Sequence, residues 1–438
     1  MNKIFYVGMC FWYLALGTEY GIIVPTLNAY ITSIGAPEAY MGYCVGLYYL
    51  ASLAVSIVFG RFVDRTQSLK WTYAIAISCG LLGYYIFTFY RTIGWIIFAR
   101  IISGVNNGAY GAIIGRVALD AGENGGVLIG FCLLQREAGL ILGSMVSGFW
   151  ISSWDDFIFF GHQVDELNRY GFFIFIVWIV AGITGLVALR NEPSFDQKAE
   201  IMEEKIDEKN DEKKDEKIEF IQVGSLPFLA EPIIICLMSS FSIYFYQSML
   251  EGTVGTIFRD YLGLNQGQII IIFTVVGFTA LLSYVISVVF SYKFHLKYAL
   301  AFSQSLNLGT SSLFALMFFF GNFRDWFVGP GLAIGGFFVI FSIPPTIIAS
   351  ATIISDFSTS ENKSTYQGMR CFVENMSAIF GPLWGANMIR LRSWVYAPIF
   401  VFQISTLYMT FSSWKRLDAR KFKHNAKLNG KPEKLQLL

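Results

Sequence analysis

The chain of 438 residues is 55% hydrophobic, 17% aromatic and 14% charged, with a net charge of +1 and a mean hydropathy of +0.53. Charge is concentrated: 19 of the 30 positions from Arg190 to Glu219 are charged and ten more charges lie from Lys415 to Leu438, leaving 34 over the other 384 residues. That remainder, about 9% against roughly 25% in soluble domains, excludes a water-soluble protein and predicts a polytopic membrane protein.

A bilayer span takes about 20 apolar residues in helical form. Twelve are predicted, at 5–31, 41–60, 71–90, 94–118, 126–150, 170–189, 228–250, 268–290, 297–320, 327–351, 367–389 and 394–414. The chain thus reads as an all-α membrane protein of two six-helix bundles, 1–190 and 226–414. A charged cytosolic linker (191–225) joins them and a basic cytosolic tail (415–438) follows. The first span has no small-residue cleavage site and reads as retained. With the N-terminus cytosolic, 23 of the 32 basic residues fall on the inner side and 6 in outer loops. The positive-inside rule therefore predicts two cytosolic termini. All six cysteines lie within predicted spans, without metal-ligand spacing, and read as packing thiols.

A charge at bilayer depth is costly unless paired or wet, so each one is a functional candidate. Span 1 carries Glu19 ahead of Pro25, which is expected to bend the helix and free a carbonyl. After span 2 come Gly60-Arg61-Phe62-Val63-Asp64-Arg65 and then Lys70. In span 4, Gly104, Gly108, Gly111 and Gly115 share one face at 100° per residue, suited to close helix contact. Arg100, Ser103 and Asn107 on a neighbouring face form a candidate cavity wall. Span 5 holds Gln135, Arg136 and Glu137, followed by an outer loop at 151–169 that reads as a solvated cap. Span 7 ends Tyr244-Phe245-Tyr246-Gln247 with Glu251 beyond, and span 10 contains Pro344-Pro345; both are gate candidates, with lipid-facing aromatics as the alternative. Span 11 holds Arg370, Glu374 and Asn375. A shift of 238 residues superposes Arg136, Gly139 and Gly143 on Glu374, Ser377 and Gly381. The opposite charges at matching positions predict that Arg136 and Glu374 share a central cavity; an intrahelical Arg370–Glu374 pair is the alternative.

The Gly60–Arg65 stretch resembles the loop between spans 2 and 3 of the major facilitator superfamily, although Gln67 and Ser68 replace its usual Gly-Arg and the second half lacks a counterpart. Arg100 with the glycine ladder is similar to that family's fourth helix. The stretch from Arg100 through CLLQREAGLILG also resembles its lysosomal ceroid-lipofuscinosis branch. The resemblance implies a cavity lined by helices 1, 4, 7 and 10, which places Glu19 at its wall. It also implies a gating motif formed by Gly60, Asp64 and Arg65, with Asp64 in a charge and helix-dipole lock. The final Glu433-Lys434-Leu435-Gln436-Leu437-Leu438 fits an acidic dileucine sorting signal read by adaptors, so an endolysosomal membrane is favoured over the plasma membrane.

These features predict a secondary transporter that carries a small anionic or zwitterionic solute by alternating access. Protons are the candidate coupling ion, on Glu19, Glu137 or Glu374, because no histidine lies at mid-span. An ion channel or a non-transporting sensor on the same scaffold is the alternative, though no ring of repeated charges suggests a selectivity filter. No enzyme motif, metal site, cofactor motif or nucleic-acid-binding array is read from the chain.

Overall fold

The computed structural model describes residues 3–37, 39–121, 125–190, 192, 231–256, 258, 263, 266–293, 295–321, 327–359, 361–385, 387 and 391–417. Most of the predicted linker and tail, with Glu433, Leu437 and Leu438, lies outside the described residues. The helices are α1 (Lys3–Ser33), α2 (Ala39–Thr66), α3 (Lys70–Phe89), α4 (Ile93–Gly108), α5 (Tyr110–Ala121), α6 (Gly125–Met145) and α7 (Arg169–Arg190). They continue as α8 (Glu231–Thr256), α9 (Gln266–Lys293), α10 (Leu296–Phe320), α11 (Val328–Phe357), α12 (Lys363–Gly385) and α13 (Ala397–Ser412). Each falls on a predicted span, and eight of the described helical segments are long and apolar enough to cross a membrane. Two departures from the expected pattern matter. Span 4 is broken at Ala109 into α4 and α5. Residues 151–169 are built rather than merely solvated: strands β1 (Phe157–Phe159) and β2 (His162–Val164) pair antiparallel, with Phe157 opposite Val164.

Large apolar side chains such as Val58, Ile183, Leu186, Phe319, Val401 and Ile404 are exposed, forming the surface that lipid would cover. Buried serines and threonines return their hydroxyls to carbonyls of their own helices, as Ser239 does to Ile235 at 2.6 Å and Thr88 to Tyr84 at 2.7 Å. Such back-bonding lets small polar residues sit at helix contacts without orphaned donors.

The first bundle closes around Trp12, Tyr13, Tyr84 and Trp178, and the second around Tyr246, Phe314, Phe318 and Tyr396. Within the first bundle, α1 and α6 meet backbone to backbone: a methyl on Gly143 would strike the Thr18 carbonyl, and one on Gly21 the Leu140 carbonyl. In the second, a methyl on Gly381 of α12 would lie 2.8 Å from the Phe245 carbonyl of α8. The residues related by 238 positions therefore make corresponding contacts, α6 on α1 and α12 on α8. Their glycines permit the close approach on which helix association in lipid depends.

Paired prolines at 344 and 345 leave α11 continuous. The carbonyl of Phe341, deprived of its amide partner by Pro345, instead accepts the Ser283 hydroxyl of α9 at 2.7 Å.

Candidate functional site

The two bundles interlock tightly on the side where α2 ends and α12 begins. Asp64 accepts the amides of Ser364 at 2.9 Å and Thr365 at 2.6 Å, and the Thr365 hydroxyl at 2.6 Å. A residue of one bundle thus caps a helix of the other, where the first amides are orphaned and the dipole is positive. Gly60 lets this happen, since a Cβ there would stand 2.8 Å from the Thr365 Cα. Gly111 and Gly115 of α5 and Gly368 of α12 meet the facing backbones of Gln367, Ser364 and Ser56 as closely. Beside this lock, Glu192 accepts the Leu69 amide at 2.8 Å and the Ser68 hydroxyl at 2.9 Å and lies 3.5 Å from Arg116. Gln67 adopts a positive φ of 51° to end α2 here.

At mid-span the bundles meet through neutral amides. Asn375 of α12 donates to Ser52 of α2 at 2.8 Å, and Asn107 of α4 donates to the same hydroxyl at 2.9 Å and to Asn375 at 3.5 Å. Next to them the break at Ala109 delivers Tyr110, whose ring has the Arg136 guanidinium 5.1 Å from its centroid and that of Arg370 at 5.3 Å. One cation comes from each bundle.

Towards the opposite side the helices part. Gln135, Arg136, Glu137 and Gln247 are half-buried and Glu251 is exposed, although all belong to predicted or described spans. Accessible polar side chains within spans are expected to face a wettable space between the bundles rather than lipid. Tyr20 of α1 donates to Glu251 of α8 at 3.2 Å across it, and Gln247 donates to the other Glu251 oxygen at 2.7 Å. Tyr284 of α9 lies close to Glu137. Arg136 forms no ion pair among the described residues, whereas Arg100 and Arg370 both do.

The family model of the Major Facilitator Superfamily matches residues 9–382, most of the chain. The chain belongs to the major facilitator superfamily. A comparison with curated proteins gives no match. Among solved structures it is similar to the human organic anion transporter MFSD10 (TETRAN), with TM-score 0.66 and 13% identity over 93% of this chain and 99% of that one. It is equally similar to the proton:xylose symporter XylE, with TM-score 0.66 and 13% identity over 95% of this chain and 97% of that one. At that identity the likeness bears on fold alone, and the fold is the all-α one of major facilitator transporters.

Within this superfamily member, the candidate residues divide into two groups. Asn107, Gln135, Arg136, Glu137 and Asn375 lie between the bundles or on the open space. Glu19 does not face a cavity: it is 1% exposed inside the first bundle, 3.6 Å from Arg100, with the Trp178 indole donating at 3.0 Å. Arg100 in turn donates to Tyr84 at 2.8 Å and lies 4.2 Å over the Tyr48 ring. The polar stripe of span 4 therefore splits, Arg100 and Ser103 turning into the bundle while Asn107 reaches the partner bundle. Glu374 is buried against Arg370 of its own helix, the alternative reading of that carboxylate, and no ion pair joins it to Arg136. Asp64 and Gly60 both contact α12, whereas Arg65 is exposed.

The sequence reading did not assign Tyr20, Tyr110 or Tyr284 to the site, and it placed Glu251 only beside a gate. Among many aromatics a tyrosine carries no distinguishing signal, and Glu251 sits at the edge of an apolar run where charge is ordinary. Its spacing of four residues from Gln247, one helical turn, was the available clue. Among the described residues no group of three His, Cys, Asp or Glu side chains could hold a metal ion.

Proposed function

We propose that the protein is a secondary active transporter that moves a small organic solute by alternating access, with Arg136 binding an anionic group of that solute. One observation carries this reading. The bundles are locked at the Asp64 end of α2 and separate at the other end of α2, where Gly42 and Gly46 face open space, so Arg136, Glu137 and Glu251 are accessible from that side. A binding set between two bundles, closed on one side, suits a carrier and opposes an open pore. Protons are the proposed coupling ion. Glu19 and Glu374 are each occupied by an arginine, which leaves Glu137 and Glu251 as the carboxyls free to exchange a proton with the cavity. The dileucine pattern of the tail supports an endolysosomal membrane, and the positive-inside count supports cytosolic termini, which put the Asp64 lock on the cytosolic side.

The test is to place a cysteine at Gln247 in a protein stripped of its six native cysteines, reconstitute it, and label it with a membrane-impermeant thiol reagent. Asp64→Asn weakens three hydrogen bonds that hold only the present state. It should therefore shift the equilibrium constant about fivefold towards the opposite state, the effect of roughly 1 kcal/mol, and slow labelling in proportion to the open fraction lost. Folded, reconstituted protein whose labelling ignores Asp64→Asn would sink the alternating-access reading.

A further inference from the structure

The cavity's charges, counted after removing those already paired, specify its solute more narrowly than the arginines alone. Arg100 is paired with Glu19 and Arg370 with Glu374, and all four side chains are nearly or wholly buried. Among the described residues, the accessible ionisable groups on this side of the bundles are then Arg136, Glu137 and Glu251, one cation against two acids. Glu137 follows Arg136 in the chain and lies close to Tyr284. Arg136 and Glu251 form no ion pair with each other, and Glu251 is held in place by Tyr20 and Gln247.

We infer that this site takes an amphoteric solute, with its anionic group on Arg136, its ammonium group on Glu251 and an apolar or aromatic body against the intervening tyrosine rings. The inference rests on the proposed central site. A simple anion would satisfy Arg136 but bring a third negative charge beside Glu137 and Glu251. A simple cation would satisfy Glu251 but stand near an unpaired guanidinium. Both mismatches are penalised in a cavity walled by protein, where charges are poorly screened. A molecule with both poles pairs Arg136 and Glu251 at once, where either single charge leaves one of them without a partner. The fixed separation of Arg136 and Glu251 then discriminates by geometry as well as by sign.

A matched set of probes with one body tests this: phenylalanine, 3-phenylpropionate and phenethylamine, measured by ligand-induced thermal stabilisation of the purified full-length protein. The expected result is that phenylalanine binds about tenfold or more tightly than either single-charge probe. Glu251→Gln keeps a hydrogen-bonding group for Tyr20 and Gln247 while removing the charge. It should abolish the advantage of phenylalanine over 3-phenylpropionate, and Arg136→Gln should abolish its advantage over phenethylamine. Equal binding of phenylalanine and 3-phenylpropionate to the unmodified protein, both lost in Arg136→Gln, would overturn the amphoteric assignment and leave the central site standing. Stabilisation by none of the three, in protein that melts cooperatively, would overturn both.

Discussion

Arg370 lies wholly buried between Gln367, which accepts its Nε at 2.9 Å, and the carboxylate of Glu374 one turn away. Arg136 stands near the same Tyr110 ring, half-buried and without an ion pair among the described residues. Two arginines of equal depth should therefore respond differently to substitution. Glu374→Gln leaves a buried guanidinium uncompensated, which costs about 3–5 kcal/mol in measured cases, whereas Arg136→Met removes a half-buried charge without an ion pair among the described residues and should cost less than about 1 kcal/mol. Thermal unfolding in detergent would measure both, and the double variant Arg370→Leu/Glu374→Leu should recover most of the loss. Equal losses for Glu374→Gln and Arg136→Met would mean that Arg370 and Glu374 do not depend on each other. The presence of these charges was legible because each interrupts an apolar run, and the Arg370–Glu374 pair was legible as the four-residue alternative. The Glu19–Arg100 pair was not, because Glu19 finds Arg100 and Trp178 only once three helices have packed. Periodicity showed which face of one helix a residue takes, but not which helix it would meet.

Helix ends carry the same lesson one level up. The twelve apolar runs located the helices, but the break at Ala109, next to the Tyr110 ring that both guanidiniums approach, had no proline to announce it. Outside the bilayer, the loop before α7 read as a solvated cap because four acidic residues dominate it. Its organisation comes from contacts distant in sequence. Asp165 pairs with Arg91 of the α3–α4 turn at 2.7 Å and accepts the Leu167 amide at 3.1 Å, while Asn168 donates to the Thr88 carbonyl at 2.9 Å. Partial burial pushes the Asp165 carboxyl up, but Arg91 and the Leu167 and Asn168 amides outweigh it and hold its pKa below the ordinary carboxylate value. A depressed folded pKa means the contribution is fully present above the unfolded value near 3.9 and is lost as pH falls through the folded one. Asp165→Asn should speed hydrogen exchange at the Leu167 and Asn168 amides at neutral pH by less than about tenfold, since a partly exposed pair contributes under about 1 kcal/mol. The difference from the unmodified protein should shrink as the pH is lowered into the acid range below 3.9. A difference that persists there would assign the ordering to packing of the hairpin instead.

At the scale of the whole molecule, the question is what allows the open side to close. On α2 the residues that meet α12 in the locked half are Ser56, Gly60 and Asp64, and one helical stripe continues from them through Leu53, Tyr49, Gly46 and Gly42. Gly42 and Gly60 are 18 residues apart, five full turns, so they share a face. Yet a Cβ at Gly60 would strike α12, while Cβ atoms at Gly42 and Gly46 would meet nothing within 4 Å. The same small-residue surface is thus packed at one end and vacant at the other, and the part of α12 that has diverged from it carries Ala378 and Pro382 on the corresponding face. If the bundles rock about the Ser52–Asn107–Asn375 amides, the vacant glycines receive that part of α12 when the Asp64 end opens. Gly46→Trp should then fold and bind solute in the present state, because the new side chain enters open space, but it should obstruct the alternate packing and reduce transport at least about tenfold, with solute affinity from the open side within a factor of about two. Transport in proteoliposomes measured together with ligand stabilisation separates the two effects. Wild-type turnover by Gly46→Trp would mean that α2 and α12 do not close on each other, and the rocking axis would have to be sought elsewhere.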